Sequence, residues 1–184
     1  MNKRNLRWIT ASTLVAEGFL MAFSLAPRSL AAEGDSEQVS NMLSETRSLA
    51  FQLRNDTAAM ESFRRMNLDP MSHKVAINEI RDQINALGRQ VNKLKALEAE
   101  AAPWQRTAIQ RIDPYLEELG GYTSAIIERL NGDRTHTIVD YNDYLQANAD
   151  YASDLYATLT DFAAFGNARG KVEDLGTKLE IPQR

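Results

Sequence analysis

The chain has 184 residues, enough for one domain with a sizeable core, and contains only nine glycines and five prolines. The absence of cysteine excludes disulfide bonds, thiolate metal sites, c-type haem attachment and a cysteine nucleophile. Residues 32–184 carry 17 basic and 24 acidic side chains, a net charge of −7, which disfavours nucleic-acid binding because phosphate contact needs clustered lysine and arginine.

The first 31 residues have the three parts of a secretory signal peptide. Residues 8–26 are mostly apolar, with a basic segment before them and small residues after them. We predict cleavage after Ala31, with Ala32 as the alternative, and so a periplasmic or secreted protein with no stable membrane span after cleavage. A retained membrane anchor is the competing interpretation, although it would put Glu17 near the bilayer centre. The basic residues and the cleavage pattern are Lys3, Arg4, Arg7 and Ser29-Leu30-Ala31.

Residues 32–184 contain four segments with the heptad periodicity of packed helices and coiled coils. The first is predicted to run from Asp35 to about Met66, and one member of its stripe, Asp56, is charged. The second runs from His73 to Leu97 and has the most regular seam. The first stripe is Val39, Met42, Thr46, Leu49, Leu53, Asp56, Met60 and Phe63, with Leu43 and Ala50 beside it; the second is His73, Ile77, Ile80, Ile84, Leu87, Val91 and Leu94.

The third segment is predicted from about Pro103 to just before Asn131. The fourth begins near Thr137, and its regular stripe ends at Gly166. Because short links join four such helices, we predict an all-α, up-down-up-down four-helix bundle. The third stripe is Trp104, Ala108, Ile112, Tyr115, Leu119, Tyr122, Ile126 and Leu130; the fourth is Tyr141, Leu145, Asn148, Ala152, Leu155, Leu159, Phe162 and Gly166.

Three polar members of these stripes fall at similar heights when residues are counted outward from the turns. They are Asp56, Tyr122 and Asn148. A buried carboxylate needs a partner, so we expect Asp56 to bond to Tyr122 or Asn148 in a polar layer inside the bundle. The alternative is three separate rim residues, with Asp56 turned to solvent.

The fourth segment is too long for the bundle. If it matches the second segment in length, it reaches the level of the turn between the second and third segments near Gly166, and residues 167–184 overhang, fold back or fray. Val172, Leu175 and Leu179 form an apolar set there. We predict either a helix that docks on a partner through these three side chains or a tail without contacts.

The two histidines, His73 and His136, lie at turns that a four-helix bundle brings to the same end. With the carboxylates nearby in sequence, a zinc or copper site is geometrically conceivable. No HxxxH, HExxH or Glu-x-x-His spacing supports it, and neither histidine lies mid-helix as a haem ligand would. We therefore predict no catalytic, cofactor-binding or metal-binding residue, and no enzymatic activity. The nearby carboxylates are Asp69, Asp133, Asp140 and Asp143.

The aromatic residues cluster on the third and fourth segments, where Trp104 begins the third. A groove lined by tyrosines there would suit a peptide, a glycan or a small aromatic ligand. The alternative is that the rings pack at the edges of the bundle with their hydroxyls in water. The tyrosines are Tyr115, Tyr122, Tyr141, Tyr144, Tyr151 and Tyr156.

Two segments, Pro103-Trp104-Gln105-Arg106-Thr107-Ala108-Ile109 and Tyr144-Leu145-Gln146-Ala147-Asn148, are similar to stretches in uncharacterised exported bacterial four-helix proteins. This resemblance implies a compartment and a fold, and no chemistry. We therefore expect an exported, non-enzymatic helical bundle that acts by binding or structural association with an unknown protein or small-molecule partner. The alternative is a periplasmic bundle that binds a small ligand or a metal.

Overall fold

The computed structural model describes residues 34–63, 70–132 and 138–181, and almost all of them are helical. Within these ranges there is no strand, which confirms the all-α prediction. A short 3₁₀ turn links the second and third helices. The four helices are α1 (Glu37–Phe63), α2 (Pro70–Ala96), α3 (Pro103–Leu130) and α4 (Ile138–Lys178), and the 3₁₀ turn is Glu98–Glu100.

The helices form a ring in which α1 packs against α2 and α4, and α3 packs against the same two helices. Side-chain pairs show that α1 and α2 are antiparallel, because Asp56 bonds to Gln83 whereas Glu45 bonds to Gln90. The up-down-up-down bundle is therefore confirmed. No helix of the described residues has the length and apolar character needed to cross a membrane. The expected cleavage site and signal peptide lie outside the described residues.

The seam predicted on α2 is buried along its length. Its regular alternation of three and four residues keeps one face of the helix toward the centre of the ring. Hydrophobic residues at these positions remove apolar surface from water, which supplies the main stabilisation of the bundle. The buried hydrophobic members are Ile77, Ile80, Ile84, Leu87, Val91 and Leu94.

The stripe predicted on α1 was wrong at three positions, where the next residue along the chain is the buried one. Asp56 is exposed, and Thr57 takes the buried position beside it. The Thr57 hydroxyl donates to the carbonyl of Leu53 at 2.9 Å, so its burial leaves no polar group unpaired. Asp56 instead accepts a hydrogen bond from Gln83 at the surface. The buried stripe is Val39, Leu43, Thr46, Ala50, Leu53, Thr57 and Met60.

Helix α4 has 41 residues, against 27 or 28 in the other three helices. It continues through Gly166, where the predicted stripe ended, as far as Lys178. Gly166 lies against the ring of Trp104 at the start of α3. Residues after Gly166 therefore extend past the turn between α2 and α3, and we name residues 167–181 the α4 extension.

Candidate functional site

Four tyrosines pack on one another along the seam between α3 and α4. Ring centroids are 5.8 Å apart for Tyr144 and Tyr122, 5.7 Å for Tyr122 and Tyr151, and 6.4 Å for Tyr151 and Tyr115. The charge of Glu118, followed by desolvation, raises the pKa of Tyr151 above its ordinary value. We name these four rings the tyrosine ladder. Because the rings are half-buried and fill the seam with each other, they fit the packing interpretation better than an open tyrosine groove.

The other two tyrosines lie apart from the ladder. Tyr141 shares a hydrogen bond of 2.5 Å with Nδ1 of His73, and burial raises the pKa of its hydroxyl to about 12. Tyr156 packs against Phe51, with ring centroids 5.5 Å apart. The guanidinium of Arg54 lies over both of these rings.

The hypothetical metal site at the His73 end gains no support from the described residues. His73 is buried and bonded to Tyr141, whereas His136, Asp69 and Asp133 lie outside the described residues. In residues 34–63, 70–132 and 138–181, no group of three or more histidine or acidic side chains could hold a metal ion.

The predicted polar layer exists in part, with a different partner. Asn148 is buried as expected, and its side-chain nitrogen donates to the hydroxyl of Thr123 at 2.8 Å. Tyr122 is only half-buried and belongs to the ladder, and Asp56 is at the surface. Thr123 was missed because the adjacent Tyr122 was assigned to the seam. The signal for it was a second heptad series on α3, namely Ile109, Ile112, Leu116, Leu119, Thr123 and Ile126.

A buried glutamine that the sequence did not single out joins the starts of α1 and α3. Oε1 of Gln105 accepts hydrogen bonds from the backbone N–H groups of Ser36, at 3.1 Å, and Ala102, at 2.8 Å. Its side-chain nitrogen donates to the carbonyl of Ser36 and the hydroxyl of Ser40, both at 2.9 Å. All four hydrogen-bonding positions of the amide are thus used, which allows its complete burial.

An open groove of about 360 Å³ continues the line of the tyrosine ladder toward the α2–α3 turn. Trp104 forms one wall, and its Nε1 donates to the carboxylate of Asp35 at 2.7 Å. The edge of the Trp104 ring also meets Phe165, with centroids 5.8 Å apart. We name this cavity the end groove. The side chains that matter for its chemistry are Trp104, Arg111, Thr158, Asp161, Phe162 and Phe165.

An apolar seam with little covering it begins at Phe165 and continues along the α4 extension. The exposed fractions are 50% for Phe165, 69% for Val172, 55% for Leu175 and 64% for Leu179. Arg169 holds the base of the extension to the bundle through an ion pair with Asp35 at 3.6 Å. A shallow cleft of about 350 Å³ follows the same side of the helix from Phe165 onward.

Comparison with known proteins adds no assignment, since no family model, curated protein or solved structure matches this chain.

Proposed function

We propose that this chain is an exported, non-enzymatic helical bundle that binds a protein partner through its α4 extension. The observation that carries the proposal is the exposed apolar seam of Phe165, Ala168, Val172, Leu175 and Leu179. These positions alternate by three and four residues, which is the spacing that lets two helices pack along a shared seam.

The exposure of this seam is costly for an isolated chain. Val172, Leu175 and Leu179 are each more than half exposed, although side chains of this size gain about 1.5–3 kcal/mol each when fully buried. Contiguous exposed apolar side chains rimmed by polar ones are typical of interaction surfaces. A partner helix lying along the extension would cover them.

The charges beside the seam indicate the chemistry of the partner. Lys171 and Lys178 occupy positions that flank an apolar heptad seam, where interhelical ion pairs select the partner. Arg169 occupies a third flanking position and is already paired with Asp35 and Glu173. These flanks are basic on a chain that is acidic after residue 31. We therefore propose an amphipathic helix with acidic flanks as the partner. Two extensions paired with each other would bring basic flanks together, which disfavours a second copy.

Two further parts of the proposal rest on the sequence. Export is supported by the basic, apolar and small-residue segments of residues 1–31. The lack of enzymatic activity is supported by the absence of a recognisable nucleophile or acid–base motif in the sequence. Native mass spectrometry of the chain recovered from the exporting cell tests export. We expect the mass of a chain that begins at Ala32, and the mass of a chain that begins at Met1 would contradict cleavage.

The binding proposal is tested with two synthetic helical peptides that share a leucine heptad seam. One has glutamate and the other lysine at the flanking positions. We expect the full chain to bind the glutamate peptide at least about tenfold more tightly at low salt, and this preference to shrink as salt rises. Equal binding of the two peptides, or binding of neither, would contradict the proposal.

Two variants of the extension separate seam binding from a general effect of charge. Leu175→Asp puts a carboxylate in the seam and is expected to abolish peptide binding. Thr177→Asp adds the same charge on another face of the same helix and is expected to preserve it. Sedimentation at several concentrations provides the remaining check, because self-association lost in Leu175→Asp would identify a second copy as the partner instead.

A further inference from the structure

The end groove is a second candidate site, which adjoins the seam of the α4 extension at Phe165 and differs from it by its charged side chains. Its volume of about 360 Å³ lies at the lower end of the range of small-molecule pockets, about 300–1,000 Å³. The tyrosine ladder fills the α3–α4 seam as far as Tyr115, whose hydroxyl is 3.2 Å from that of Thr158. Beyond this pair the seam is open.

One end of the groove is a fixed aromatic wall. Trp104 is held by its hydrogen bond to Asp35, and Gly166 allows α4 to come close to Cη2 and Cζ2 of the Trp104 ring. Phe165 meets the same ring at an interplanar angle of 62°. A wall held by a hydrogen bond and by close packing is available to a ligand without reordering, which lowers the entropic cost of binding.

The other end of the groove carries one positive and one negative group. The Tyr115–Thr158 contact sets the register of the antiparallel helices α3 and α4. Arg111 lies one turn before Tyr115, and Asp161 lies almost one turn after Thr158, so the two charges are within about one helical turn of each other along the groove. Neither forms a hydrogen bond or a salt bridge with another side chain of the described ranges.

The two ends are separated along the groove. Arg111 is seven residues from Trp104, about 10 Å along the α3 axis, and Asp161 is four residues from Phe165, about 6 Å along α4. A ligand that spans the groove therefore needs a ring at one end and charges of both signs at the other.

We infer that the end groove binds a small aromatic zwitterion with the chemistry of an aromatic amino acid. The ligand carboxylate pairs with the guanidinium of Arg111, and the ligand ammonium pairs with the carboxylate of Asp161. The ring lies against Trp104 and Phe165. A ligand with one charge forms only one of these two ion pairs, so it binds more weakly.

Calorimetric titration of the full chain with three probes tests this inference. The probes are L-phenylalanine, 3-phenylpropionate and phenethylamine, which share the ring and carry both charges, the negative charge or the positive charge. We expect L-phenylalanine to bind about two- to fivefold more tightly than either analogue, because Arg111 and Asp161 are exposed and water screens their ion pairs. Equal binding of all three, or no binding of L-phenylalanine, would overturn the inference.

Variants of the two charged residues identify the site. Arg111→Gln should weaken L-phenylalanine binding about two- to fivefold and leave phenethylamine binding unchanged. Asp161→Asn should weaken L-phenylalanine binding by a similar factor and leave 3-phenylpropionate binding unchanged. The matched controls Arg129→Gln and Asp154→Asn change a charge on the same helices outside the groove and should have no effect. Equal losses in the controls would attribute binding to overall charge and overturn the assignment.

The test also separates this inference from the proposed partner binding. Leu175 lies outside the end groove, so Leu175→Asp should abolish binding of the acidic peptide and leave L-phenylalanine binding intact. Loss of L-phenylalanine binding in this variant would refute an independent site.

Discussion

Gly166→Ala is expected to destabilise the bundle, although alanine favours a helix interior more than glycine does. A methyl group at this position would lie 2.7 Å from Cη2 and 2.9 Å from Cζ2 of Trp104. Non-bonded carbon atoms are most stable about 3.5–4.0 Å apart, so the indole must retreat by about 1 Å. The ring cannot move freely, because Asp35 holds its Nε1 and Phe165 packs on its edge.

Gly170 supplies the matched control for this substitution. It lies one turn further along α4, and an added methyl group there would meet no atom of the described chain within 4 Å. Gly170→Ala should therefore show only the gain in helix propensity, about 1 kcal/mol. In Gly166→Ala the same gain is opposed by loss of the Trp104–Asp35 hydrogen bond, worth about 1.5–2 kcal/mol at this partly exposed site, and by lost packing of the ring.

The expected difference between the two variants is about 2 kcal/mol, or roughly 4–8 °C in Tm for a chain of this size. Urea unfolding followed by circular dichroism at equal protein concentration measures it. In a Trp104→Leu background the clash is absent, so Gly166→Ala should become as stabilising as Gly170→Ala. Equal stabilisation by both alanines in the wild-type background would refute the close packing of Trp104 on Gly166.

Three further predictions concern polar groups inside the bundle. Burial raises the pKa of the Tyr141 hydroxyl from 10.0 to about 12, so the unfolded chain loses the hydroxyl proton at a lower pH than the folded chain does. The free energy of unfolding should therefore fall as the pH rises from 10 to about 12. Urea titrations of Tyr141→Phe should lack the part of this fall that the Tyr141 hydroxyl causes. Asn148→Asp should cost about 2–3 kcal/mol at neutral pH and much less in acid, where the buried carboxyl is protonated; equal costs at both pH values would indicate that water reaches this position. Gln105→Ala should lower the free energy of unfolding by about 3 kcal/mol, because it leaves buried backbone groups without hydrogen-bond partners. Gln110 is exposed, so the control Gln110→Ala should change the free energy of unfolding by less than about 0.5 kcal/mol. Thermal melts of both variants measure the difference.

The fold could be predicted because hydrophobic periodicity reports directly on which face of a helix is buried. On α2 no two large apolar residues are adjacent between Ile77 and Leu94, so only one seam fits them. On α1 two adjacent pairs, Met42-Leu43 and Leu49-Ala50, are both apolar, and each allows two choices of seam. The choice that included Asp56 was wrong because the helix is rotated so that Thr57 faces the core.

The end groove could not be predicted because its walls come from residues with no shared local pattern. Trp104 and Phe165 are 61 residues apart in the sequence. Their close approach depends on Gly166, and the sequence pattern indicates only that a stripe ends at this glycine. Arg111 and Asp161 have the appearance of ordinary solvated charges. Only the register of α3 against α4 brings them to the same part of the groove, and the single signal for that register was the regular spacing of the two stripes.

The hydrogen bonds of Gln105 have a consequence for the dynamics of the chain. The first amides of a helix normally exchange with solvent quickly, because helix ends fray without disturbing the rest of the structure. The amides of Ser36 and Ala102 are bonded to one buried side-chain oxygen, so neither helix start can open without breaking contacts of the other. We expect both amides to exchange with deuterium at rates close to those of the core, and a slip of α1 by one turn against α3 to be suppressed for the same reason.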